Sequence, residues 1–206
     1  MKIIKASYEI MDTLDGMEIL RKIEKCGRVC YKSEDRITDE SCMKFVKSIL
    51  NSGHESVIEH FSFSVKFIVD RGVSHEIVRH RIASFSQEST RYCNYSKDGF
   101  ENECTFIEPF FFKVDSAEYE AWKNACEASE REYMTLIKLG RTPQEARSVL
   151  PNSLKTELIM TANLREWRHF LKLRTSDASH PQMLEVARPL LAELRERVPV
   201  VFEGLY

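Results

Sequence analysis

The chain has 206 residues, 43% of them hydrophobic, which is enough to bury a core and forces no second domain, so residues 1–206 are expected to fold as one domain. A formal net charge of -2 excludes reliance on bulk attraction to nucleic acid or anionic membranes, so any bound anion must be met by a local cluster of cations. No apolar run approaches the roughly 18 to 20 residues of a membrane span, Met1-Lys-Ile-Ile-Lys lacks the apolar stretch of a secretory signal, and six scattered cysteines without a C-x-x-C pair read as reduced thiols, so a cytoplasmic location is expected.

In chain order, Lys2 to Ile10 carries β-branched and aromatic residues and is predicted as a strand, and Gly16 to Tyr31 has the apolar spacing of a helix. After a turn at Lys32 to Arg36, Thr38 offers an N-cap with Asp39 and Glu40 in the first turn. Met43, Phe45, Val46, Ile49 and Leu50 then keep helical period until Gly53. Phe61, Phe63, Val65, Phe67 and Val69 alternate as a strand does, and Asp70-Arg71-Gly72 is predicted to close it as a turn. Val73 to Arg81 follows as a short helix with three basic side chains at its far end.

The polar stretch from Asn94 to Glu103 is expected to be a mobile loop and a candidate lid. Asp115 to Leu139 is predicted as a long helix ending before Gly140, and Thr142-Pro143 caps a second one through Val149. Leu154 to Ala162 is predicted as a strand, Asn163 to Leu173 as a helix, and Pro181 to Val198 as a last helix distorted at Pro189. With no regular β-α-β repeat and no duplication, the expected class is α+β: a single mixed α/β domain with a small sheet flanked by helices.

Arg79-His80-Arg81 followed by Ser89-Thr90-Arg91-Tyr92 puts three guanidiniums, an imidazole and several hydroxyls within a short stretch. An arginine fork gives two parallel hydrogen bonds to a phosphate, and Ser89 adds a short neutral group to fix its orientation. The competing reading is a set of surface ion pairs with Glu76 and Glu88. Against it, Ile77, Val78, Ile82, Ala83 and Phe85 draw the segment toward the core, where arginines need committed anionic partners.

Other constellations are weaker. Cys93 lies two residues after Arg91 and is the one nearby candidate for a nucleophilic thiolate, but a packing thiol is the preferred reading. His54 and His60 stand six positions apart and His75 and His80 five, so neither pair shares a helix face as a zinc site needs, and no metal is expected. Cys26 and Cys30, one helical turn apart, read as core thiols. Phe110 to Phe112 read as core or subunit interface.

The segment from Arg79 to Tyr92, R-H-R-I-A-S-F-S-Q-E-S-T-R-Y, is similar to the signature of flavin-dependent thymidylate synthases. The resemblance continues at Gly53-His54-Glu55-Ser56 with Glu59-His60, at Ala146-Arg147-Ser148-Val149-Leu150-Pro151 and at Asn163-Leu164-Arg165, covering nearly the whole chain. It implies methylation of deoxyuridine monophosphate (dUMP) to thymidylate, with methylenetetrahydrofolate as carbon donor and NADPH, through bound FAD, as hydride source. No enzyme cysteine attacks the pyrimidine in this scheme. It also implies a homotetramer whose sites are shared between subunits, which suits a small chain that must hold three anionic ligands.

By position, the resemblance assigns nucleotide contacts to Glu76, Arg79, Gln87, Ser89, Arg91, Arg147 and Arg174, with Tyr92 supporting the loop. It assigns flavin or folate contacts to His54, Ser56, Arg79, His80, Arg81, Gln87, Asn163 and His169, the last standing where many relatives have asparagine. Arg174 would sit at the uracil ring and stabilise charge developing during attack from C5, which makes it the expected catalytic residue. The alternative class is a nucleotide-binding module that keeps the arginines without turnover.

Overall fold

The alternation from Phe61 to Val69 becomes a strand, Ser62–Asp70, that buries Phe63, Val65, Phe67 and Val69 on one face in the computed structural model, which describes residues 1–205. In chain order the elements are β1 (Lys2–Ile4), β2 (Ser7–Ile10), α1 (Gly16–Val29), α2 (Ser41–Asn51), β3 (Ser62–Asp70), α3 (Arg71–Ile77) and β4 (Ser84–Gln87). They continue with β5 (Thr105–Ile107), α4 (Ala117–Lys138), α5 (Pro143–Ala146), β6 (Lys155–Asn163), α6 (Leu164–Arg174) and α7 (Pro181–Arg197). One sheet has the order β2-β3-β6-β4; β1 and β5 form a separate parallel pair in the register Lys2 to Thr105, Ile3 to Phe106 and Ile4 to Ile107. This is the mixed α and β architecture, small sheets flanked by helices, that the sequence predicts.

The chain divides into two compact units, with unit boundaries falling inside β2, β3, β4 and β6. The first comprises Met1–Ser7, Phe67–Arg79 and Ser86–Leu158; the second comprises Tyr8–Lys66, His80–Phe85 and Ile159 onward. In the first unit the core gathers Tyr95, Cys104, Phe106, Cys126, Tyr133, Ala146 and Leu154. Burial pushes the Cys104 thiol up to about 12 and the Cys126 thiol up to about 11, so both behave as small apolar side chains. All six cysteines are free.

In the second unit, Trp167 of α6 stacks on Phe63 at 4.9 Å between ring centroids and donates its indole N–H to the Phe63 carbonyl at 3.2 Å. The helix starts without a linker. Asn163 ends β6, and its side-chain oxygen accepts the Glu166 backbone N–H at 2.9 Å as an N-cap. Leu164, Trp167, Phe170 and Leu171 line the buried face of α6, the stripe that the helical period predicts.

The structure departs from the sequence reading at several places. Lys2 to Ile10 is two strands in different sheets, broken at Lys5 and Ala6. Asp70-Arg71-Gly72 is no turn, because the Asp70 carboxylate accepts the Val73 N–H at 2.8 Å and starts α3 at Arg71. That helix ends at Ile77, so Arg79 to Arg81 lie beyond it, and Ser84 to Gln87 runs as strand β4 beside β6.

Helix α2 begins at Ser41 and not after Thr38. The Ser41 hydroxyl accepts the Thr38 N–H at 2.9 Å and donates to the buried Glu24 carboxylate at 2.7 Å. The candidate lid is anchored: Tyr95 is buried, its ring meets Phe100 edge-on at 5.1 Å, and its hydroxyl donates to Glu88 at 2.8 Å.

Gly16, the first residue of α1, has no room for a side chain, since a Cβ there would stand 2.2 Å from the Arg197 carbonyl oxygen. Gly16→Ala is therefore expected to destabilise by about 1–3 kcal/mol through backbone displacement. The reading is a lower urea midpoint with unchanged slope; a midpoint at or above that of the wild type contradicts it.

Candidate active site

The residues singled out from sequence fall into two sets by unit. Glu76, Arg79, Gln87, Ser89, Arg91 and Arg147 belong to the first; His54, Ser56, His80, Arg81, Asn163, His169 and Arg174 belong to the second.

In the first unit the loop after β4 is a tight turn in which the Ser89 carbonyl accepts the N–H groups of Tyr92 and Cys93 at 3.1 and 2.9 Å. The Ser89 hydroxyl accepts the Arg91 N–H at 3.3 Å, and the Arg91 guanidinium lies 5.4 Å from the centre of the exposed Tyr92 ring. Arg147, from the turn after α5, is tied to this loop by donating to the buried Thr90 hydroxyl at 3.1 Å. Gln87 is held from below: its amide nitrogen donates to Ser74 at 2.9 Å and to Thr156 at 3.2 Å. Glu76 is half-buried, and its carbonyl accepts the Arg79 N–H at 3.3 Å.

The ion pairs that would make these arginines ordinary surface residues are not formed. Arg79, Arg91 and Arg147 are exposed, and among the described residues none of them pairs with a carboxylate. Glu88, the nearest candidate partner in sequence, is committed to the Tyr95 hydroxyl and to the Lys155 ammonium at 2.9 Å. Burial works against the charge on Lys155, but its bonds to Glu157 and Glu88 outweigh burial and raise its pKa. Two guanidiniums at the Ser89 loop, Arg91 and Arg147, with Arg79 in the same unit, offer the kind of donors that a phosphate monoester requires.

In the second unit the solvent side of α6 opens on a cavity of about 660 Å³, within the range of small-molecule sites. Asn163, Arg165, Arg168, His169 and Lys172 line it from the helix, and Ile82 faces it from the segment before β4. Arg165 and Arg168 are steadied by Glu59 at 2.7 Å and Glu55 at 3.2 Å. His54, Ser56 and Arg81 are exposed. Amide and imidazole donors beside cations suit a ligand with a polar heteroaromatic ring and an anionic tail, which is the chemistry of a flavin nucleotide.

His80, which the resemblance assigns to the flavin, is tied into the interior of its own unit. It is only 3% exposed, and both ring nitrogens are engaged within the chain: Nδ1 lies 3.0 Å from Glu166, and Nε2 accepts the Arg174 Nε–H at 3.1 Å. Burial lowers the His80 pKa below 6.5; the Arg174 cation acts in the same direction, while the hydrogen bond to Glu166 opposes. His169, on the exposed side, places its Nδ1 3.3 Å from both Glu166 oxygens.

The sequence reading expects no metal, yet His80, Glu166 and His169 bring three ligand atoms within 4.8 Å of one another. Separation along the chain concealed the cluster. The Arg174 guanidinium already occupies the His80 Nε2 lone pair, and its charge opposes a cation at that imidazole.

Sequence reasoning missed Glu166, Arg168 and Lys172 as site residues. The signal was available, since positions 165, 168 and 172 repeat at helical spacing and carry cations.

The fold defines a class first. A UMP/dUMP methylase from Streptomyces cacaoi, in a structure with 5-Br dUMP, superimposes with a TM-score of 0.80 over 98% of this chain and 96% of its own at 24% identity, a likeness of architecture. The family model described as "Thymidylate synthase complementing protein" matches residues 12–200. A flavin-dependent thymidylate synthase of Pyrococcus furiosus is 38% identical over 173 residues, covering 83% of this chain and 70% of the relative. Its counterpart in Geobacter sulfurreducens is 32% identical over 183 residues, covering 85% and 77%. The chain belongs to the flavin-dependent thymidylate synthase family.

The lowered His80 pKa carries a sign for stability. The unfolded chain takes up a proton near pH 6.5 that the folded chain resists, so this contribution is intact above 6.5 and is lost as pH falls below it. The drop in Tm between about pH 7.5 and about pH 5 is expected to be smaller in His80→Asn than in the wild type. An equal or larger drop in the variant rejects this assignment.

Proposed function

We infer that the chain carries out its family's reaction, the reductive methylation of dUMP to dTMP, with methylenetetrahydrofolate as carbon donor and NADPH, through FAD, as hydride source. Family membership makes it an FAD-dependent methyltransferase of thymidylate synthesis. The observation that carries the reading is the set of exposed guanidiniums Arg79, Arg91 and Arg147, unpaired with carboxylates and grouped by unit with Ser89 and Gln87.

In this reading Arg91, Arg147 and Ser89 hold the nucleotide phosphate, with Arg79, Gln87 and Glu76 also on the nucleotide. Asn163, His169, His54, Ser56, His80, Arg81 and the cations of α6 hold the flavin or the folate; the size and donor chemistry of the cavity support this for Asn163, Arg165, Arg168, His169 and Lys172, which line it. FAD, when bound, supplies the hydride chemistry that the side chains lack. Arg174 keeps a fixed positive charge beside the pyrimidine as C5 attacks the one-carbon unit, and its guanidinium cannot lose that charge at working pH.

Cysteine chemistry is not required. Burial, followed by the Glu88 carboxylate, pushes the pKa of the Cys93 thiol up, which disfavours the thiolate that a nucleophile needs. The proposal extends to residues 1–206 acting as one catalytic domain, a homotetramer with sites shared between subunits, and a cytoplasmic location. Among the described residues no helix is long and apolar enough to cross a membrane.

Arg174→Ala is expected to lower turnover by about 100- to 1000-fold with the fold retained. Arg147→Ala removes a charge-assisted hydrogen bond to phosphate, so the dUMP KM should rise by about 10- to 100-fold. Both are read from NADPH oxidation and dTMP formation in protein loaded with FAD. Absence of flavin absorbance at saturating FAD, together with no dUMP-dependent NADPH oxidation, would falsify the enzyme reading. A sedimentation mass of a single chain in active protein removes the tetramer.

A further inference from the structure

Glu166 is a charged side chain only 6% exposed that the reaction as derived above does not use. Burying a carboxylate is costly unless it is fully partnered, so its partners indicate what it holds. They are two imidazoles, His80 Nδ1 at 3.0 Å and His169 Nδ1 at 3.3 Å, and His80 in turn accepts from Arg174 Nε at 3.1 Å. Glu166 lies in the first turn of α6 and Arg174 in its last, about 12 Å apart along the axis at the usual helical rise. The His80 ring bridges them.

The donor and acceptor count leaves one arrangement. Arginine Nε always carries its proton and can only donate, so His80 Nε2 must present a lone pair. A neutral imidazole then has its single proton on Nδ1, where the Glu166 carboxylate accepts it. The opposite tautomer would set two N–H groups against each other at the Arg174 contact and leave the carboxylate without a donor from His80. The Phe170 ring, packed edge-on at 4.9 Å between ring centroids, limits rotation of the His80 ring.

We propose that Glu166 is a positioning residue: by fixing His80 as the Nδ1–H tautomer, it makes that imidazole an acceptor that orients the Arg174 guanidinium. The inference rests on the role given to Arg174 above. The charged and titratable groups facing His80 are Glu166, Arg174 and His169, all from α6, and burial holds the ring in its neutral form. Replacing Glu166 by a neutral amide of the same shape lets the side chain donate to Nδ1, which favours the wrong tautomer and turns the guanidinium away.

The first test needs no variant. In protein labelled with 15N at histidine, the His80 resonances at neutral pH should show a protonated Nδ1 and an unprotonated, acceptor-type Nε2. In Glu166→Gln this pattern should be lost, and kcat should fall by about 10- to 100-fold, as for partners one step removed from a catalytic centre, with the dUMP KM within about twofold of the wild type. Glu166→Asp, which keeps the charge, should recover part of kcat.

A protonated Nε2 on His80 in the wild type overturns the proposal, as does a Glu166→Gln protein with unchanged tautomer and unchanged kcat. Failure of Glu166→Gln to fold leaves the wild-type tautomer as the deciding measurement. Full turnover by Arg174→Ala would instead remove the catalytic role of Arg174, while the tautomer measurement still judges the chain of contacts from Glu166.

Discussion

The position of α6 is set by one side chain. Trp167 stacks on Phe63 and gives its N–H to the Phe63 carbonyl, so the helix is fixed to β3 in height by a hydrogen bond and in rotation by ring contact. Everything functional on the second unit follows from that rotation. With Trp167, Phe170 and Leu171 turned inward, Arg165, His169 and Lys172 face outward along the cavity, while Glu166 and Arg174 reach the buried His80. A helix with one apolar stripe thus offers a cavity-facing row and a row for interior polar contacts.

Charge is managed differently in the two units. In the first, carboxylates that lie close to the arginines in sequence are taken up elsewhere: Glu88 holds Lys155 and Tyr95. The arginines are left without carboxylate partners, which a chain of nearly balanced charge can achieve only by such diversion. In the second, the cations along the cavity are partly braced by Glu55 and Glu59, which costs some electrostatic pull and gains fixed geometry.

The sequence showed the elements whose pattern is local. The period of β3, the helical spacing of α6 and the long helix α4 depend on neighbours within a few residues. It failed where local chemistry allows two readings or where a distant partner decides. Asp70 could serve as a turn residue or a cap, and only its bond to Val73 chooses; β4 and β5 are too short to show a period and exist because β6 and β1 accept them. The arginine cluster was legible because it is contiguous. The trio of His80, Glu166 and His169 was not, since 86 positions separate the first two. His80 was visible, but its burial and its contacts with Glu166 and Arg174 are tertiary facts.

The direct passage of β6 into α6 through Asn163 makes this junction a phase lock. A strand inverts its side chains with each added residue and a helix turns them by about 100°, so a single insertion at Ala162 or Asn163 would put both periods out of step at once. There is no loop to absorb the error. An insertion is therefore better absorbed in the turns, and the spacing between Met160 in the sheet and Arg174 at the end of α6 is a fixed dimension of the fold.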